Sequence, residues 1–126
     1  MVYIIMIALV TGLAAADFVT GWASAFIRGD VKSSEMRKGG IRKLAEIVVM
    51  AAAIGVNIAV DMIAQYSGAE GVFADIVGAF SAYGVAVYIV LMEIVSILEN
   101  YVEMNPGAKW ASKIMKRLGG VCHDRE

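Results

Sequence analysis

The sequence predicts an all-α integral membrane protein with three transmembrane helices and a short basic amphipathic C-terminal helix. Three observations lead there. Hydrophobic residues make up 60% of the 126 and charged residues only 18%, with a mean hydropathy of +0.71. That is more apolar side chain than a soluble domain of this size can bury. All eleven Lys and Arg fall in two clusters, Arg28 to Lys43 and Lys109 to Arg125. Three apolar stretches each approach the ~20 residues needed to cross a ~30 Å hydrocarbon core. The length fits one membrane domain, residues 1–126.

The first span covers about 2–27. Its "GLAAADF" has the look of a small-residue cleavage site, but "MVYIIM" carries no Lys or Arg and the apolar character resumes in "FVTGWASAFI". A retained helix is therefore expected rather than a signal peptide. Next comes "RGDVKSSEMRKGGIRK", residues 28–43, rich in Gly, Ser and charge. It reads as a basic cytoplasmic loop with short helical turns at most. The second span covers about 44–64, "QYSGAE" forms a hairpin without basic residues, and the third span covers about 71–98. Asn105-Pro106-Gly107 punctuates the third helix. In the tail helix, 107–118, Trp110, Ile114 and Leu118 take one face and Lys109, Lys113 and Lys116 another. Such a helix suits the surface of an anionic inner leaflet; packing on a partner is the alternative. Basic segments stay cytoplasmic. The N-terminus and the hairpin are thus expected outside, the basic loop and the tail inside.

Each span carries a polar stripe. At about 100° per residue, Asp75 and Glu93 fall on the same face of the third helix, with Ala82, Ala86 and Asn100 within about 20° and Ser96 near the edge. Glu46, Ala53, Asn57 and Asp61 form a stripe on the second helix, and Asp17, Gly21, Ser24 and Arg28 on the first. An ionised carboxylate at the bilayer centre costs about 2.5–3.5 kcal/mol on insertion scales. The stripes must face one another, another subunit or water. Reaching the headgroups from a helix end is the plainer reading, and it suits Glu46, Asp61 and Glu99 better than the deeper Asp17 and Glu93. Rows of small residues, Gly12-Ala16-Thr20-Ser24 and Ala74-Gly78-Ala82-Ala86, allow close helix approach. Ordinary alanine abundance is the competing explanation.

The chain lacks a catalytic constellation. Its only histidine, His123, and only cysteine, Cys122, lie in the tail. No zinc-protease spacing, nucleophile elbow or phosphate-cradling glycine loop occurs. Neither an enzyme nor a cofactor, metal or nucleic-acid partner is expected, and Cys122 reads as an incidental reduced thiol.

The order "DFVTGWASAF", "VKSSEMRKGGIRKLAEI", "MEIVSILENYVEMNPGAKWASKIMKRL" resembles the phage lysis and toxin-secretion holins of Gram-positive bacteria and their prophages. The resemblance rests on Asp17, Thr20 and Gly21 (Asp-x-x-Thr-Gly), on Ser33, Ser34, Gly40, Arg42 and Lys43, and on Glu93, Ser96, Ile97, Leu98, Glu99 and Asn100. It spans Asp17 to Leu118. One departure is "YVEMNPG", where the family tends to have Gly-x-x-x-Pro after the Asn.

The resemblance implies a homo-oligomer in the bacterial cytoplasmic membrane that opens lesions for a peptidoglycan hydrolase or a toxin. It makes Asp17, Thr20, Gly21, Asn57, Asp75, Ala82, Ala86, Glu93, Ser96 and Asn100 candidates for a subunit interface or lumen. Arg42, Lys43, Lys109, Lys113 and Lys116 become inner-leaflet residues, and Glu99 pairs with Arg42 or Lys43, unless Glu99 and Asn100 simply end the helix. Two other classes remain in view. A small proton-coupled exporter, or another ion-conducting membrane protein, would use a membrane carboxylate but normally has four spans and balanced charge. A membrane-anchored scaffold would conduct nothing.

Overall fold

The computed structural model describes residues 1–68 and 81–119, with side chains to Arg117. All its described elements are helices: α1 (Val2–Arg28), α2 (Ser33–Ser67), α3 (Ala82–Met104) and α4 (Lys109–Gly119). The first three are long and apolar enough to cross a membrane. The protein is an all-α membrane protein. Asp75, the hairpin after Gly68, the start of the third span, Cys122 and His123 lie outside the described residues.

The expected loop at 28–43 is largely helix. Only Gly29 to Lys32 connects α1 to α2, and residues 33–43 run into the span as part of one 35-residue helix. Hydropathy marks where the chain prefers water, not where the backbone stops being helical. Gly39 and Gly40 each cost about 1 kcal/mol against alanine, but no proline interrupts the segment, and Glu35 in the first turn complements the helix dipole. The connection is short because Gly29 adopts φ 70°, ψ 19°. Its N–H donates to the Phe26 carbonyl and that of Asp30 to Ala25, at 3.1 and 3.0 Å. This left-handed cap reverses the chain within one turn, and a side chain there would be strained.

The third helix also overruns its expected end at Leu98, reaching Met104 before Asn105-Pro106-Gly107 stops it. At its start, Ser81 accepts from the Tyr83 N–H at 3.2 Å. Asn57, from the middle of α2, accepts from the buried Ala82 N–H at 2.7 Å. One polar side chain of the second stripe thus caps another span inside the bundle.

α1 and α2 are antiparallel, while α1 and α3 run parallel and share the most extensive interface. The interior has two halves. Met6, Val10, Met50, Ile54, Ala82, Ala86 and Ile89 form an apolar core around the early part of α1 and α3. Toward the other end the interior becomes polar, with Asp17, Ser24 and Glu93 buried. The outside is the reverse: Ile4, Leu9, Val19, Phe26, Leu44, Val48, Ile58 and Val87 are all exposed. A surface this apolar is suited to lipid rather than water. The tail helix packs back on α3 through Ala111, fully buried, and through Trp110, whose ring lies 5.7 Å from Tyr101.

Candidate functional site

Asp17 stands eleven residues before the end of α1, Glu93 eleven before the end of α3, and Lys43 ten after the start of α2. With α2 antiparallel to the others, these counts put all three at one level, about 15–17 Å from the connecting end. Lys43 Nζ lies 2.7 Å from Asp17 Oδ2, and 2.7 and 2.6 Å from the two oxygens of Glu93. Glu46, one turn along α2, places Oε2 at 3.6 Å from the same ammonium, and that oxygen has no hydrogen bond among the described residues. Side-chain exposure is 12% for Lys43, 7% for Asp17 and 1% for Glu93. A single cation thus holds carboxylates from two other helices in a nearly dry site. Each short contact is a charge-assisted hydrogen bond.

The cluster continues along the α1–α3 seam. Asn100 Nδ2 donates to Asp17 Oδ1 at 3.0 Å and to Thr20 Oγ1 at 3.2 Å. Thr20 in turn donates to the Asp17 carbonyl at 3.0 Å. A Cβ on Gly21 would lie 3.4 Å from Asn100 Nδ2, an ordinary van der Waals contact, so the amide packs closely against α1 and leaves no room there for a side chain larger than alanine. One turn further on, Ser24 Oγ donates to Glu103 Oε2 at 2.8 Å and Arg28 Nη1 approaches the same oxygen at 3.2 Å. The Arg28–Glu103 pair is about half exposed, so it contributes little by itself.

Of the three settings open to the stripes, facing one another is the one this geometry has within the protomer: Lys43 reaches from α2 to Asp17 and Glu93, and Asn100 donates to Asp17. Two expectations change. Lys43 does not pair with Glu99 at the membrane surface. It lies on the inward face of a helix that was expected to be a loop, where two carboxylates already wait. Glu99 is exposed, as is Arg42, and no ion pair joins them among the described residues. Glu46, expected to reach the headgroups, turns toward Lys43. Of the remaining candidates, Asn57 and Ala82 meet in the capping bond, Ala86 packs in the apolar core, and Ser96 lines the cleft beside Asn100. Lys109, Lys113 and Lys116 are exposed on α4. Glu103 was missed, although it continues the three-and-four spacing of Glu93, Ser96 and Asn100.

Chemically the site is an ion-pair clasp. It presents no nucleophile–base pair, and no His, Cys, Asp and Glu group among the described residues has a metal-binding arrangement. Comparison with curated proteins and with solved structures gives no match. A family profile does match, over residues 2–121, nearly the whole chain. With its three apolar spans and their polar interior, the chain belongs to the bacteriophage holin family, a pore-forming and non-enzymatic class of membrane protein.

Proposed function

We propose that the protein is a holin of the bacterial cytoplasmic membrane that accumulates, self-associates and then opens lesions, through which a peptidoglycan hydrolase or toxin leaves the cell. The observation that carries this reading, beyond family membership, is the Lys43 clasp inside a bundle with an apolar exterior. The protomer stores a polar lining where lipid does not touch it. Before triggering, Asp17, Lys43, Glu93 and Asn100 stay closed within each protomer. When the helices part in an assembly, the same groups face water. Gly12, Ala16 and the exposed apolar faces then supply contacts between copies. The N-terminus lies outside and the tail inside, with Lys109, Lys113 and Lys116 against anionic lipid.

A proton-coupled exporter is the second reading, and the deeply buried Glu93 is what favours it. The two differ in what passes. Induced expression of a holin gives normal growth, then abrupt arrest, and lysis when a hydrolase is co-expressed; proteoliposomes release an entrapped protein. An exporter releases no protein, and smooth growth at high membrane levels of the chain would rule the holin reading out.

A further inference from the structure

A second feature lies between the clasp and the connecting end. A cleft of about 420 Å³ opens between the late part of α1 and the early part of α2, within the ~300–1,000 Å³ range of small-ligand sites. Its charged groups largely cancel in pairs. Arg28 is held by Glu103, Lys32 by Asp30 and Glu35, and Lys43 by Asp17 and Glu93. Two cations remain. Lys38 and Arg42 stand one turn apart on α2, both exposed, both lining the cleft, and neither has an ion pair among the described residues.

The rest of the lining is apolar on the side facing lipid. Phe18 and Trp22 of α1 border the cleft, 37% and 45% exposed, and Trp22 stacks on the exposed Phe26 at 5.7 Å. Arg42 directly precedes Lys43 and the apolar run from Leu44, so the two free cations sit at the polar–apolar boundary of α2. Between them, Gly39 lines the cleft with open space above its Cα, which keeps the floor clear.

We propose that this cleft binds the headgroup of an anionic phospholipid. Arg42 takes the phosphate through its planar fork and Lys38 adds a second charge, while an acyl chain runs along Phe18 and Trp22. A free phosphate ion would share the charge chemistry, but would leave the aromatic border unused. The inference requires the helices to span a bilayer; it does not require that the protein open lesions.

The test uses full-length protein with Trp110→Phe, so that Trp22 is the sole tryptophan, in phosphatidylcholine vesicles containing phosphatidylglycerol. Trp22 fluorescence is quenched by brominated forms of either lipid. Taking roughly fivefold per basic side chain, the expected preference for brominated phosphatidylglycerol is about 25-fold. It should fall to near unity in Lys38→Gln/Arg42→Gln. Gly39→Leu, which keeps every charge and favours the helix, should also abolish it by filling the floor. Equal quenching of the unmodified cleft by both lipids overturns the proposal, as does a preference unchanged in either variant. Displacement of the lipid by millimolar inorganic phosphate would reassign the site to a free anion and overturn it too.

Discussion

Replacing Lys43 with methionine keeps most of the apolar stem and removes only the ammonium. Asp17 and Glu93 would then face each other with no cation between them. At the observed 2.7 Å, one lysine–carboxylate pair is worth about 6 kcal/mol before desolvation at an effective dielectric of ~20. Desolvating three ions cancels most of the summed attraction, so the intact clasp contributes little net stability. Its removal by halves is another matter: stranding buried charge costs about 3–5 kcal/mol. Lys43→Met should therefore lower protomer stability by that amount in a reversible unfolding assay in detergent. Asp17→Asn/Lys43→Met/Glu93→Gln should recover most of the loss, because the two carboxylates in direct contact with the ammonium are neutralised with it, while Glu46, with 26% of its side chain exposed, keeps access to water. In cells, the single variant should insert at normal abundance and trigger lysis early, since less work parts the helices. A single variant within about 0.5 kcal/mol of the parent, a difference typical of unimportant surface positions, would show that the clasp does not hold the bundle. A triple variant as unstable as the single would refute the charge-balance argument.

Three further outcomes follow from the same geometry. Gly21→Ala should be tolerated, since its Cβ meets Asn100 at 3.4 Å, whereas Gly21→Leu should force α1 and α3 apart and cost about 1–3 kcal/mol in the same unfolding assay. Asn57→Ala should leave the buried Ala82 N–H unpaired at a cost of about 1–2 kcal/mol, raising hydrogen exchange at that amide by roughly 5–30-fold; unchanged exchange would mean the bond is not a cap. In a Cys122→Ser background, cysteine at position 67 should react with an impermeant reagent from outside intact cells and cysteine at 112 should not. Labelling at 112 would reverse the orientation.

Stripes such as Asp17-Gly21-Ser24-Arg28 were legible in the sequence because helical spacing turns periodicity into a face. So was the capping role of Asn105-Pro106-Gly107, which depends on local backbone chemistry. What the faces meet was not legible. Periodicity says that Glu93 and Asp17 need partners, but the partner depends on how three helices pack. The decisive residue, Lys43, sits just outside the apolar window of its own helix. A criterion built on hydropathy assigns it to a loop, although α2 continues through it. Glu103 escapes for the same reason: hydropathy ends the span at Leu98, while the helical repeat of Glu93, Ser96 and Asn100 continues one step further. Charge ended the predicted spans; backbone geometry ended the helices.

The two-part interior makes the bundle asymmetric as a barrier. Water entering from the connecting end would find hydrogen-bonding groups at Arg28, Ser24, Asn100 and Lys43, each a place to rest. Beyond that level it meets Met6, Val10, Ala14, Met50 and Ile54, which are buried and offer none. Met6 to Ala14 spans about 12 Å of helix. On the holin reading proposed above, that short oily plug, rather than the whole thickness of the protein, would hold back leakage through a lone protomer. It would also separate two properties that selection can tune independently. Side-chain volume in the plug would govern how tightly the resting protein is sealed, and charge balance at the clasp how readily its helices separate.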